Sequence, residues 1–220
     1  MRKVVVLGAS QCGKTSLVRR LVDGTFCATE QPTMGVDLVI LGQQTQLWDT
    51  SGQPRYSASV ATHLCGAHAV LLCYSVTSAA SFAQARDYWL PQLHATSDAT
   101  ICLAGTHLKL AMDAPAMRQV SAQEVASVMA QWSSIAQWSE CDAKHDLGMA
   151  HIREWIEGVP ALAQGAPPFG VSMDAEQEPS PRALLKPHID SGASTRLGCC
   201  WRGGAVANDD GSDEPVRIKL

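Results

Sequence analysis

The chain has 220 residues and a mass of 23.5 kDa, with 46% hydrophobic and 17% charged residues. That composition supports one buried core and excludes collagen-like or globally disordered architecture. The formal net charge of −4 supplies no broad positive field, so nucleic acid is not an expected partner and a monomer is the simplest assembly.

In chain order, a valine-rich apolar run at residues 3–7 ends at Gly8, and a helical pattern starting near Gly13 carries Leu17, Val18, Leu21 and Val22 on one side. Further apolar runs fall at 36–41, 46–49, 69–76 and 100–105, with a segment of helical spacing at 81–93 between the last two. Strands alternating with helices predict an α/β fold with a largely parallel sheet covered on both faces. Ser121 and Glu124 form a capping box opening a helix to about residue 132, and 146–156 reads as a last amphipathic helix.

Residues 161–220 change character. Six prolines, many glycines and no sustained hydrophobic period predict a low-complexity, disordered tail, which leaves residues 1–160 as the folded domain. The eight cysteines are scattered through apolar runs, where free thiols act as small hydrophobes, and no C-x-x-C pair suggests zinc. No apolar stretch approaches the roughly 18 residues that cross a bilayer, and the start lacks a secretory core, so a cytoplasmic chain is expected.

Gly8 to Thr15 fits G-x-x-x-x-G-K-[ST] between a predicted strand and a predicted helix, the context in which the motif carries meaning. Glycines let backbone N–H groups wrap phosphates, a lysine reaches the β and γ oxygens, and a hydroxyl ligates magnesium. Gly8, Ser10, Gln11, Cys12, Gly13, Lys14, Thr15 and Ser16 are therefore the candidate phosphate-binding residues.

Two later segments, residues 32–37 with Thr33 and residues 47–53 with Asp49, Gly52 and Gln53, complete a set that resembles the Ras superfamily of small GTPases across residues 1 to about 158. The resemblance implies a P-loop small G-protein domain with a mostly parallel six-stranded sheet and about five helices. It implies GTP and GDP as ligands and Mg²⁺ as cofactor, with Thr15, Thr33 and, through water, Asp49 around the metal. Phe26 falls on the aromatic beside the guanine, and Gln53 on the residue that orients the attacking water, with Lys14 holding charge. Effectors, an exchange factor and a GTPase-activating protein would meet the switch regions. Residues 32–37 look like Rab proteins, whereas 78–82, 89–91 and 105–106 look more like Rho proteins.

Several positions depart from the pattern. Gln11 stands where a small residue is usual, Ser51 replaces an alanine, and Pro54 replaces an acidic residue and fixes the backbone beside Gln53. The segment from Thr33 to Asp49 is about six residues shorter than in Ras or Rab proteins, which shortens a hairpin used for effectors. The base-reading N-K-x-D or T-K-x-D motif is met by Thr106-His107-Leu108-Lys109, so a lysine faces guanine donors that an aspartate would accept. The next base loop, Cys141-Asp142-Ala143-Lys144, resembles the S-A-K loop. It suggests that Asp142 pairs with Lys109 or takes over the guanine N1 and N2 edge, unless the two form an ordinary solvated pair; Asp113 is a further candidate. These losses also frame an alternative, a pseudo-GTPase that serves as an interaction scaffold.

In the tail, Cys199 and Cys200 resemble the double-cysteine end of Rab proteins and are candidates for a lipid anchor to an intracellular membrane. Six basic against eight acidic residues in 161–220 add no electrostatic adhesion.

Overall fold

The computed structural model describes residues 1–160 and 217–219. Its sheet runs β1 (Arg2–Gly8), β2 (Val36–Leu41), β3 (Thr45–Thr50), β4 (Ala69–Ser75), β5 (Thr100–Thr106), β6 (Ile135–Glu140) and β7 (Arg217–Lys219). The spatial order is β6-β5-β4-β1-β3-β2-β7. Pairings are parallel from β6 to β3, while β2 runs antiparallel to both β3 and β7.

The helices are α1 (Lys14–Asp23), α2 (Ser57–Thr62), α3 (Ala79–Gln84), α4 (Leu90–Thr96), α5 (Leu108–Asp113), α6 (Ala122–Gln131) and α7 (Met149–Gly158). A wide π-helical turn, Ala85–Trp89, joins α3 to α4, and the Leu90 N–H reaches back five residues to the Ala85 carbonyl. Pro91 offers no N–H of its own, and such a turn is one way a helix absorbs that loss. The predicted capping box is present, with Ser121 and Glu124 each bonding the other's backbone N–H.

Side chains alternate across the sheet, so consecutive valines of β1 serve two cores. Val5 and Leu7 join Leu72, Tyr74, Leu103, Phe82 and Trp89 on one face. Val4 and Val6 join Leu71, Cys73, Leu17, Leu21 and Ile152 on the other. β4 is buried at every position, as a central parallel strand covered on both faces should be.

The six expected strands are all present, a seventh joins the edge, and seven α-helices among the described residues stand where about five were expected. Residues 217–219 fall in the segment expected to be a disordered tail; their Ile-centred triplet is too short to show a period, and its partner strand lies far away in sequence. The rest of the expected tail, including Cys199 and Cys200, lies outside the described residues. No helix among those described is long and apolar enough to cross a membrane.

Candidate functional site

The chain leaves β1 for β2 and β3 on one side of the sheet and reaches β4 on the other, so a crevice opens beyond the carboxyl end of β1. The glycine-rich loop lies there. Gly8 has φ 139°, and a Cβ on it would sit 2.1 Å from the Cys73 carbonyl oxygen. Gly13 is left-handed at the start of α1, and Gln11 holds φ 62°, the conformation that makes a bulky residue costly by about 1 kcal/mol. Lys14 is buried and folds back over the loop, its Nζ donating to the Gly8 and Ala9 carbonyls at 3.0 and 2.7 Å. Gly52 closes against this loop, since a Cβ there would lie 2.4 Å from the Ser10 nitrogen and 2.5 Å from Lys14 Nζ.

Three metal-ligating candidates meet beside Lys14. Thr15 Oγ1 and Thr33 Oγ1 are 2.8 Å apart, and Thr33 Oγ1 is 3.5 Å from Asp49 Oδ2. Asp49 is 2% exposed, and its Oδ1 has no hydrogen-bond partner among the described residues. Burial pushes its carboxyl up to about 6, against the pull of Thr15, Lys14 and Thr33. An orphaned, buried carboxylate oxygen beside two hydroxyls is the donor set a hard dication prefers, so these residues fit Mg²⁺. Gln53 lines the same crevice in extended conformation, its N–H donating to Ser51 Oγ at 3.3 Å, and Pro54 opens a short 3-10 turn directly after it.

The crevice continues as a cleft of about 640 Å³ past Phe26 to Thr106, Lys109 and Ala143. Thr106 Oγ1 donates to the Cys12 carbonyl at 2.6 Å and so ties the end of β5 to the phosphate loop. His107 is left-handed at φ 61°, and its Nδ1 lies 2.9 Å from Ser75 Oγ; burial lowers its pKa. Gly8 and Cys12 are part of the loop's footing rather than the cleft wall, with Cys12 Sγ directed at the Cys73 carbonyl. A larger hollow of about 910 Å³ lies between β6 and α7, away from the phosphate loop.

The expectations for Asp142 require correction. Its Oδ1 accepts from the His145 N–H at 3.0 Å and faces His145 Nδ1 at 2.9 Å, while Oδ2 accepts the backbone N–H of Lys109 at 3.2 Å. Burial works against its charge, but these bonds hold its carboxyl below the usual range. Asp142 therefore braces the base loop, and it also lines the cleft. The Lys109 ammonium pairs with Asp113, one helical turn along α5, and not with the Asp142 carboxylate. Placing Lys109 and Asp113 four apart on one helix makes that the local solution.

Sequence reasoning missed the supports. Arg20 of α1 donates from Nε to the Ala143 carbonyl at 2.6 Å and from a terminal nitrogen to the Lys144 carbonyl at 3.1 Å, over 120 positions away. The Ala143 N–H takes no acceptor among the described residues, and Ala143 lines the cleft. Ser75 and His145 are likewise placed by the fold. Nothing in their local sequence marks them, because each acts on a neighbour supplied by a distant strand or loop.

Fold and crevice together define a P-loop nucleotide-binding protein. The sequence model of the Ras family matches residues 3–157, and the chain belongs to that family. It is 34% identical over 164 residues to the Ras-like GTP-binding protein RYL2 of Yarrowia lipolytica, covering 70% of this chain and 78% of that one. It is 32% identical to the Ras-related protein Rab-1 of Theileria parva, covering 83% and 87% respectively. The mouse Ras-related protein Rab-12 is 29% identical over 68% of this chain and 63% of its own length. The Ras family match, and a relative named for GTP binding, give the pseudo-GTPase alternative no support.

Proposed function

We propose that the chain is a small GTP-binding switch that holds GTP or GDP with Mg²⁺ and hydrolyses GTP slowly. The observation that carries this reading is the convergence of Thr15, Thr33 and the orphaned Asp49 Oδ1 beside a buried Lys14. Loop N–H groups from residues 10–16 wrap the phosphates, and the Lys14 ammonium exchanges its carbonyl contacts for phosphate oxygens. Thr15, Thr33 and Asp49 would hold Mg²⁺, which would supply positive charge against the phosphates. Gln53 positions a water for in-line attack on the γ-phosphorus; the bond to the β–γ bridging oxygen breaks, releasing GDP and phosphate. Thr33, just ahead of β2, grips the triphosphate state and lets go of the diphosphate state, which moves the segment of residues 32–37.

Membrane traffic is the setting that the Rab-named relatives favour. Effectors, an exchange factor and a GTPase-activating protein then meet the switch regions of a monomer, and Cys199 or Cys200 carries a lipid anchor to an intracellular membrane. The direct test is single-turnover hydrolysis. Gln53→Leu should slow it by about tenfold or more while leaving GTP affinity within about threefold, since a water-positioning group acts in the transition state. Equal rates in both proteins would remove Gln53 from the chemistry.

A further inference from the structure

β2 begins three residues after Thr33, and its outer edge would present unpaired N–H and C=O groups to any extended chain. In this protein the edge is already taken. Arg217–Lys219 lies antiparallel along it, with Lys219 opposite Asp37, Ile218 opposite Leu38 and Arg217 opposite Val39. The register brings a cation across from an anion and an aliphatic residue across from an aliphatic residue, the cross-strand pairs that stabilise antiparallel ladders. Both Ile218 and Lys219 remain exposed, so little apolar burial anchors the strand and its hold is mainly backbone pairing.

We propose that the outer edge of β2 is a strand-docking site whose resident occupant is the chain's own 217–219 segment, and that this segment must leave before a partner can add a strand there. Three residues of pairing are weak, but a tethered segment competes at an effective concentration that no dilute partner matches. The arrangement is therefore self-blocking and readily reversed by a partner with a longer strand. Because the edge belongs to the strand that continues from Thr33, docking is tied to the part of the molecule that the proposed nucleotide cycle moves. Occupancy itself does not depend on hydrolysis.

The test compares the full-length chain with full-length Ile218→Pro, which removes a backbone N–H and fixes φ without touching the core. Amide hydrogen exchange should accelerate at least tenfold in the variant at those amides of residues 37–39 that face β7, with the β1 and β4 amides unchanged. A fluorescein-labelled peptide of residues 214–220 should bind the variant saturably and the unaltered chain at least tenfold more weakly. Lys219→Glu, which sets like charges opposite each other, should act in the same direction by a smaller factor. Unchanged exchange at 37–39, or equal peptide binding by both chains, would overturn the proposal. A dimer of the unaltered chain that dissociates in Ile218→Pro would also overturn it, by placing the strand on a second copy. None of these readouts needs GTP, so they stand or fall apart from the proposed catalytic function.

Discussion

The two ends of the cleft are built differently. At the phosphate end, Lys14, Thr15, Thr33, Asp49 and Gly52 all match the family pattern and meet within hydrogen-bond or van der Waals reach. At the base end, a lysine occupies the aspartate position, its charge is spent on Asp113, and Asp142 braces backbone. Metal and phosphate chemistry tolerates little variation, because hard oxygen donors and backbone N–H groups must converge on fixed charges. Base recognition rests on side-chain hydrogen bonds, which can be lost without disturbing the phosphate loop. Ala143, whose carbonyl Arg20 holds, still lines the cleft.

The largest expected effect lies at the phosphate end. Lys14→Ala should weaken GTP binding by about 100-fold or more, measured by calorimetry, since charge-assisted bonds are worth about 1.5–3 kcal/mol each. A loss no greater than that for a base-side variant would erase the contrast. Next comes restoration of the family acid: Lys109→Asp should raise the preference for GTP over ATP by about tenfold or more, with Mg²⁺ dependence unchanged. If selectivity stays where it was, the departure at Lys109 is not what governs base choice.

A smaller effect sharpens the metal half through pH. Asp49 titrates at about 6 in the folded chain, above the 3.8 of an unperturbed aspartate, so the fold favours its protonated form. In the metal-free protein its contribution to stability is therefore greatest below pH 4, declines as pH rises to about 6, and is constant above. Asp49→Asn should lack that slope in denaturant titrations run from pH 4 to 7. Conversely, Mg²⁺ requires the carboxylate, so magnesium-dependent nucleotide affinity should rise up to about pH 6 and level off, falling by up to about tenfold per pH unit below it.

Much of the fold was legible because its signals are local. The valine run before Gly8, the apolar periodicity of α1 and the Ser121–Glu124 cap each needed only a short window. β6 gave no such signal, since Ile135–Glu140 is a mostly half-buried edge strand with three polar positions and no continuous apolar run. Gln11, which stands where a small residue is usual, holds φ 62°. The candidate phosphate residues could be gathered from the sequence because they sit in contiguous motifs at set spacings. The arrangement of the base half was not legible: whether Lys109 turns toward Asp113 or Asp142 depends on where α5 begins relative to the loop after β6. Arg20 and Ser75 were invisible for the same reason, and β7 because its partner lies some 180 positions away.

The most direct test of the divided cleft is calorimetric titration of the nucleotide-stripped full-length chain with GTP, GDP, ATP and XTP, each with and without Mg²⁺. A Mg²⁺-dependent gain of about 100-fold or more is expected for the triphosphates, with GTP ahead of ATP by well under the roughly 10⁴-fold that a fully hydrogen-bonded base site achieves. Binding indifferent to Mg²⁺, or a GTP preference above that level with Lys109 in place, would contradict the account.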